Sequence, residues 1–135
     1  ENGDERKAID EIVTKLRMLI QELRISLIMV SHLRRPQGQG HEDGAATSLS
    51  QLRGSAAIAQ LSDMVIGLER NGQHENEVMR NTTTVRVLKN RFSGITGPAT
   101  YLYYDKTTGR LTETGEPGQD DTPVFDNSPL ADFTA

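Results

Sequence analysis

This chain of 135 residues contains no cysteine and no tryptophan, and aromatic residues make up 4% of it. Without cysteine there is no disulfide framework and no thiolate-held metal centre. The longest apolar run, Ile25 to Val30 with Ser26 inside it, is far too short to span a bilayer. No signal-peptide pattern is visible, and no membrane partner is expected. A glycine-rich phosphate cradle of the G-x-x-x-x-G-K-S/T type is absent. Three scattered histidines give no metal-ligand spacing, and nothing pairs a nucleophile with a base. Cationic charge is missing from one end. After Arg110 there is no lysine or arginine, whereas Glu113, Glu116, Asp120, Asp121, Asp126 and Asp132 all follow it. The formal charge of −4 therefore misleads, because residues 1–112 are mildly basic and the acidity sits in the tail.

What is present reads as one α/β unit. Apolar residues Ile9, Ile12, Val13, Leu16, Ile20 and Leu23 recur at helical spacing, which predicts an amphipathic helix over 4–23 with Asp4 as its cap. Ile25 to Val30 reads as a strand buried on both faces of a parallel sheet. A long glycine-bearing loop follows over 33–48, then a helical segment to Leu61 with Ser55 as a cap. Met64 to Leu68 is a second buried strand, and Asn71 to Asn81 a polar loop. Thr82–Leu88 and Ala99–Tyr104 are β-rich runs, and Asp105–Gly109 is a hairpin turn into Arg110-Leu111. Parallel α/β thus gives way to an antiparallel β-hairpin edge. Residues 113–135, rich in Pro, Gly, Asp and Thr, are expected to form a disordered acidic tail. The chain opens on Glu1 rather than Met and is expected to begin within a longer protein.

Candidate chemistry gathers at strand ends, where open α/β sheets bind ligands. Lys89 and Arg91, two apart at the end of a β-branched run, share one side of the strand and are expected to point off the sheet toward phosphate. Edge cations that discourage aggregation have the same spacing. His32 closes an apolar run and is either a polar strand terminus or a hydrogen-bonding probe of a terminal phosphate. Arg34, Arg35 and His41 sit on the glycine-rich loop and suit a sugar–phosphate backbone, or simply a solvated loop. Tyr101, Tyr103 and Tyr104 fit packing or stacking.

In order along residues 4–112, these features resemble the carboxy-terminal part of the DnaB-like hexameric replicative helicases, and especially the primase–helicases of short-tailed phages. The resemblance is carried by Asp4-Glu5-Arg6-Lys7, Val30-Ser31-His32-Leu33, Gln51-Leu52-Arg53-Gly54-Ser55 and Gln60-Leu61-Ser62-Asp63. It continues through Leu68-Glu69-Arg70-Asn71, Leu88-Lys89-Asn90-Arg91-Phe92-Ser93-Gly94, Thr96-Gly97 and Tyr104-Asp105-Lys106-Thr107-Thr108-Gly109.

The resemblance implies a partial RecA-like core working as a homo-hexamer. Such a ring hydrolyses ATP or dTTP with Mg2+ at subunit interfaces while single-stranded DNA passes through its centre. It makes His32 the γ-phosphate sensor and Arg91 the arginine finger, with Lys89 beside it. Arg70 and Tyr104 become the residues that hold the base, and Gln60 joins the nucleotide-binding set. Loop residues Arg34, Arg35 and His41, with Arg53 and Gly54, become DNA contacts, and Asn71–Asn81 a second DNA loop. The acidic tail, with Asp132-Phe133 near its end and Val124-Phe125-Asp126 as a second motif, becomes the dock for a replicative DNA polymerase. The implied setting is the cytoplasm of a phage-infected bacterium. The family's phosphate loop, catalytic glutamate and Mg2+-holding aspartate have no counterpart in this sequence, so the chain by itself is expected to be inactive. Two other readings fit the same strand ends: a RecA-type recombinase or clock-like ATPase, and a non-catalytic module that binds single-stranded DNA or a polymerase.

Overall fold

The computed structural model describes residues 2–52 and 56–117. The expected Ser55 cap, Arg53, Gly54 and the tail motifs with Asp132 and Phe133 lie outside the described residues.

Helix α1 spans Asn2–Leu23. It starts two residues before the expected cap, so Asp4 and Glu5 lie within its first turn, where their charge suits the positive end of the helix dipole. Arg24 ends it with a left-handed φ of 52°, and Ile25 N–H reaches back to the Ile20 carbonyl at 3.3 Å, a pattern that satisfies the last open carbonyls. Ile9, Val13, Leu16 and Ile20 are half-buried, while Ile12 and Leu23 at the margins of the stripe are exposed. This stripe packs on α2, Ala56–Leu61, whose Ile58 is the buried apolar residue among those described.

The sheet has four strands, β1 Met64–Glu69, β2 Thr82–Asn90, β3 Gly97–Asp105 and β4 Arg110–Thr114, in the order β1-β2-β3-β4. Every neighbouring pair is antiparallel. Turn chemistry fixes the last hairpin: Asp105 accepts from Thr107 N–H and from the Thr108 hydroxyl, each at 2.8 Å, and Gly109 takes a φ of 70°. Thr82–Asn90 and the β3–β4 hairpin match the expected strands closely.

Three elements differ from expectation. Ile25–Val30 forms no strand and is exposed throughout, because no neighbouring strand among the described residues offers it a ladder. In β1, Val65, Gly67 and Glu69 are covered, but Met64, Ile66 and Leu68 on the alternate face are exposed. That pattern is the period-2 signature of a half-covered strand, not of one buried on both faces. Within Asn71–Asn81 a short helix forms, α3 Glu77–Asn81, because the Asn76 side chain accepts from Val78 N–H and Met79 N–H.

Candidate functional site

Antiparallel pairing sorts the candidate residues between the two ends of the sheet. At one end, Glu69 of β1 pairs with Thr84 of β2, and Thr82 pairs with Tyr103 of β3. Arg70, exposed just past β1, and Tyr104, half-buried in β3, therefore share this end. At the other end Met64 pairs with Asn90, which places Lys89 and Arg91 there. Six residues of strand separate the two pairings, about 20 Å at 3.3 Å per residue.

Lys89 and Arg91 do not point off the sheet as expected. Both fold back onto the carbonyl-bearing end of α2 and the turn that follows it. Lys89 Nζ donates to the Ala59 and Gln60 carbonyls at 2.6 and 3.0 Å. Arg91 donates to the Gln60 carbonyl at 2.9 Å and to Asp63 Oδ1 at 3.0 Å. The cause is local: the last carbonyls of a helix lack intrahelical partners and carry partial negative charge. Gln60 thus takes part through its main chain while its residue stays exposed. Asp63 also receives Arg17 of α1 at 2.7 Å. Hydrogen bonding from Arg17, followed by the attraction of Arg17, Arg91 and Lys89, outweighs its desolvation and holds its carboxyl below the ordinary aspartate range. Arg91 remains 45% exposed, so its guanidinium is docked but reachable.

At the opposite end the two expected DNA loops lie against each other. Asp43 bridges Asn71, Gly72 N–H donates to the Glu42 carbonyl at 3.0 Å, and Gly44 adopts a φ of 90° close to the Asn71 side chain. Arg34 is exposed and is fixed by its main chain, whose N–H donates to the Gln51 carbonyl at 2.7 Å. Arg35 pairs with Glu42 at 2.5 Å, with its own side chain largely in solvent. The pairing raises the affinity of Arg35 for its proton and lowers that of Glu42. His41 is not a projecting contact. Its Nδ1 lies 3.3 Å from the Ala45 carbonyl and its ring is half-buried within the loop itself. His32 is exposed, which leaves it open to a ligand, and it stands apart from both clusters in the hydrogen-bond pattern described.

Sequence reasoning missed the node that joins this loop to the sheet. Glu69 is buried, and its Oε1 accepts from Thr47 N–H at 2.7 Å, from the Thr47 hydroxyl at 2.8 Å and from Arg86 Nε at 2.6 Å. Its Oε2 accepts from Arg86 Nη2 at 3.1 Å. Burial pushes the Glu69 carboxyl up, but the Arg86 and Thr47 hydrogen bonds outweigh it and hold the group below its usual value. Thr47 lies against Gly67, whose missing side chain makes room for it.

A four-stranded antiparallel sheet lies beside two short α-helices and one long one, with Lys89 and Arg91 toward one end of the sheet and Arg70 and Tyr104 toward the other, an arrangement consistent with part of a RecA-like domain. The family model for the DnaB-like helicase C terminal domain matches residues 1–113. The chain belongs to that family. It is 43% identical over 137 aligned residues to a DNA helicase/primase of Enterobacteria phage T3, an alignment that covers 98% of this chain and 24% of that protein. It is 31% identical to a probable plasmid replicative DNA helicase of Chlamydia psittaci, over 77% of this chain and 22% of that one. A Twinkle homolog protein of Arabidopsis thaliana, chloroplastic/mitochondrial, is also 31% identical, over 81% of this chain and 15% of its own length. The chain thus spans about a quarter or less of the relatives it matches.

Proposed function

We propose that residues 1–112 are the distal portion of the motor domain of a replicative DNA helicase, which couples nucleoside triphosphate hydrolysis to movement along single-stranded DNA. The residues after 112 are read as a tail that docks a replicative DNA polymerase. The family membership supports the activity, and the separation of the two clusters carries the mechanism. In this reading Arg70 and Tyr104, toward the same end of the sheet, hold a nucleotide base between a planar cation and a phenol. Arg91 sits at the far end of the same sheet, more than about 20 Å of strand away. Across that distance Arg91 serves the nucleotide of an adjoining copy, where its rigid fork of donors stabilises the transferring phosphoryl group. Head-to-tail contacts of this kind close into rings, here a homo-hexamer.

In this reading His32 senses the terminal phosphate, and Lys89 and Gln60 fix the finger and its surroundings. Arg34 and Arg35 grip the DNA backbone beside the Asn71–Asn81 segment, with Arg53 and Gly54 in the connecting motif. The triphosphate is ATP or dTTP with Mg2+, in a site completed by residues missing from this chain and by a neighbouring subunit, and the setting is the cytoplasm of an infected bacterium.

The test is Arg91→Ala in the intact protein. DNA-stimulated hydrolysis is expected to fall by at least about 10³-fold, while equilibrium binding of a fluorescent nucleotide changes less than about threefold. Unimpaired turnover would remove the finger assignment and with it the ring mechanism.

A further inference from the structure

Both acceptors that hold the Arg91 guanidinium, one a side chain and one a main-chain carbonyl, are shared with a second cation. Asp63 takes Arg91 on Oδ1 at 3.0 Å and Arg17 on Oδ2 at 2.7 Å. The Gln60 carbonyl takes Arg91 at 2.9 Å and Lys89 at 3.0 Å. The main chain of Arg91 is anchored separately, its N–H donating to the Asp63 carbonyl at 2.9 Å. The guanidinium can therefore leave while the backbone stays in place; the Asp63 carboxylate then keeps Arg17 on Oδ2, with Oδ1 on a part-exposed side chain open to water, and the Gln60 carbonyl keeps Lys89.

We propose that Asp63, Arg17 and Lys89 form a release device for Arg91. Asp63 and the Gln60 carbonyl dock the guanidinium on its own subunit at rest, and Arg17 and Lys89 satisfy those acceptors when it swings out to a phosphate. This deepens the reading of Arg91 as a residue that reaches a nucleotide, and it rests on that reading.

The energetic argument lies in what is left behind. Breaking a hydrogen bond is costly chiefly when one partner is left unsatisfied, and here a second cation is already in contact with each acceptor. An exposed ion pair is weak, whereas a guanidinium meeting a phosphate forms two parallel charge-assisted bonds. A triphosphate in reach therefore outcompetes Asp63. Arg17 and Asp63 act through Arg91 and do not touch substrate, so they are positioning residues. Because Arg17 sits on α1 and Asp63 follows α2, the packing of these two helices sets how firmly the finger is parked.

The device is tested in the intact protein by steady-state triphosphate hydrolysis with and without single-stranded DNA. Asp63→Asn weakens the dock and is expected to raise the DNA-independent rate about fivefold, shrinking the stimulation by DNA. Arg17→Ala leaves the whole Asp63 charge to Arg91 and is expected to lower the DNA-stimulated rate by a similar factor, with Arg17→Lys restoring it. The double variant is expected to behave as Asp63→Asn alone, since Arg17 acts only through that carboxylate. A purely structural role moves both single variants downward together, and that result would overturn the device. Arg91→Ala separates the two levels of the argument. Full activity in that variant sinks the finger itself, whereas loss of activity there, with Asp63→Asn and Arg17→Ala both falling, sinks only the release device.

Discussion

Glu69 shows how one side chain binds a loop to a sheet. Its four hydrogen bonds come from Thr47, 22 positions earlier, and from Arg86, 17 positions later, separations at which no local sequence pattern reveals a partner. The lysine and arginine of Leu88-Lys89-Asn90-Arg91 were legible because strand spacing marks them, yet their docking onto Asp63 and the helix carbonyls was not. Sequence periodicity reports which way a residue faces, not what a neighbouring element presents to it. Glu69→Gln leaves Arg86 without its counter-charge and is expected to destabilise the domain by about 2–3 kcal/mol at neutral pH. The pH dependence follows from the lowered Glu69 value. The ionised group contributes fully above the usual glutamate value of 4.5, and that contribution drains away as pH falls through the lower folded-state value. Urea midpoints measured from pH 7 down to pH 3 should therefore bring the unsubstituted protein and the Glu69→Gln variant together at the acid end. A gap that stays constant over that range would show that the folded carboxyl is not held by Arg86 and Thr47.

At the scale of elements, the antiparallel strands and α1 were readable from periodicity, and the Asp105–Gly109 turn from its residue types. The misreadings share a cause. Ile25–Val30 and Met64–Leu68 look like buried strands because their residues are apolar and β-branched, but a ladder and a cover must come from elsewhere in space. The short helix α3 was hidden because five residues carry no readable period, and only the Asn76 cap betrays it. Tertiary contact also explains Gly67, which no turn or positive φ requires. A Cβ there would lie 2.0 Å from the Thr47 hydroxyl oxygen and 3.3 Å from Leu88 Cδ1, so Gly67→Ala must push the 40–47 segment off β1. We expect a loss of about 1–3 kcal/mol and faster amide exchange across residues 40–47, with β3 and β4 unaffected. Gly72→Ala is the control, because its nearest neighbour, the Glu42 carbonyl oxygen, would be 4.0 Å away. Equal exchange in the two variants would mean that the loop is not seated on β1 by this contact.

For the molecule as a whole, the described residues leave much apolar surface without a cover. Ile28 and Val30 are 93% and 90% exposed, and Met64, Ile66 and Leu68 line up along one face of β1. Scattered exposed apolar residues are ordinary, but a contiguous strip implies a surface meant to be covered. The relatives are at least four times longer than the stretch matched here, and in the reading proposed above the rest of the intact protein supplies that cover. Each side chain of this kind is worth about 1.5–3 kcal/mol when fully buried. Ile28→Ser and Val30→Thr should therefore act in opposite directions in two settings. In the isolated 135-residue chain the double variant is expected to reduce binding of an apolar dye and self-association, since it removes surface that has no partner. In the intact protein it is expected to cost about 3–5 kcal/mol of domain stability, since the same surface is then buried. Light scattering and dye fluorescence of the chain, set beside thermal unfolding of the intact protein, read both directions. An intact protein indifferent to the double variant would show that residues 25–30 face solvent there too, and the α/β core would have to close without them.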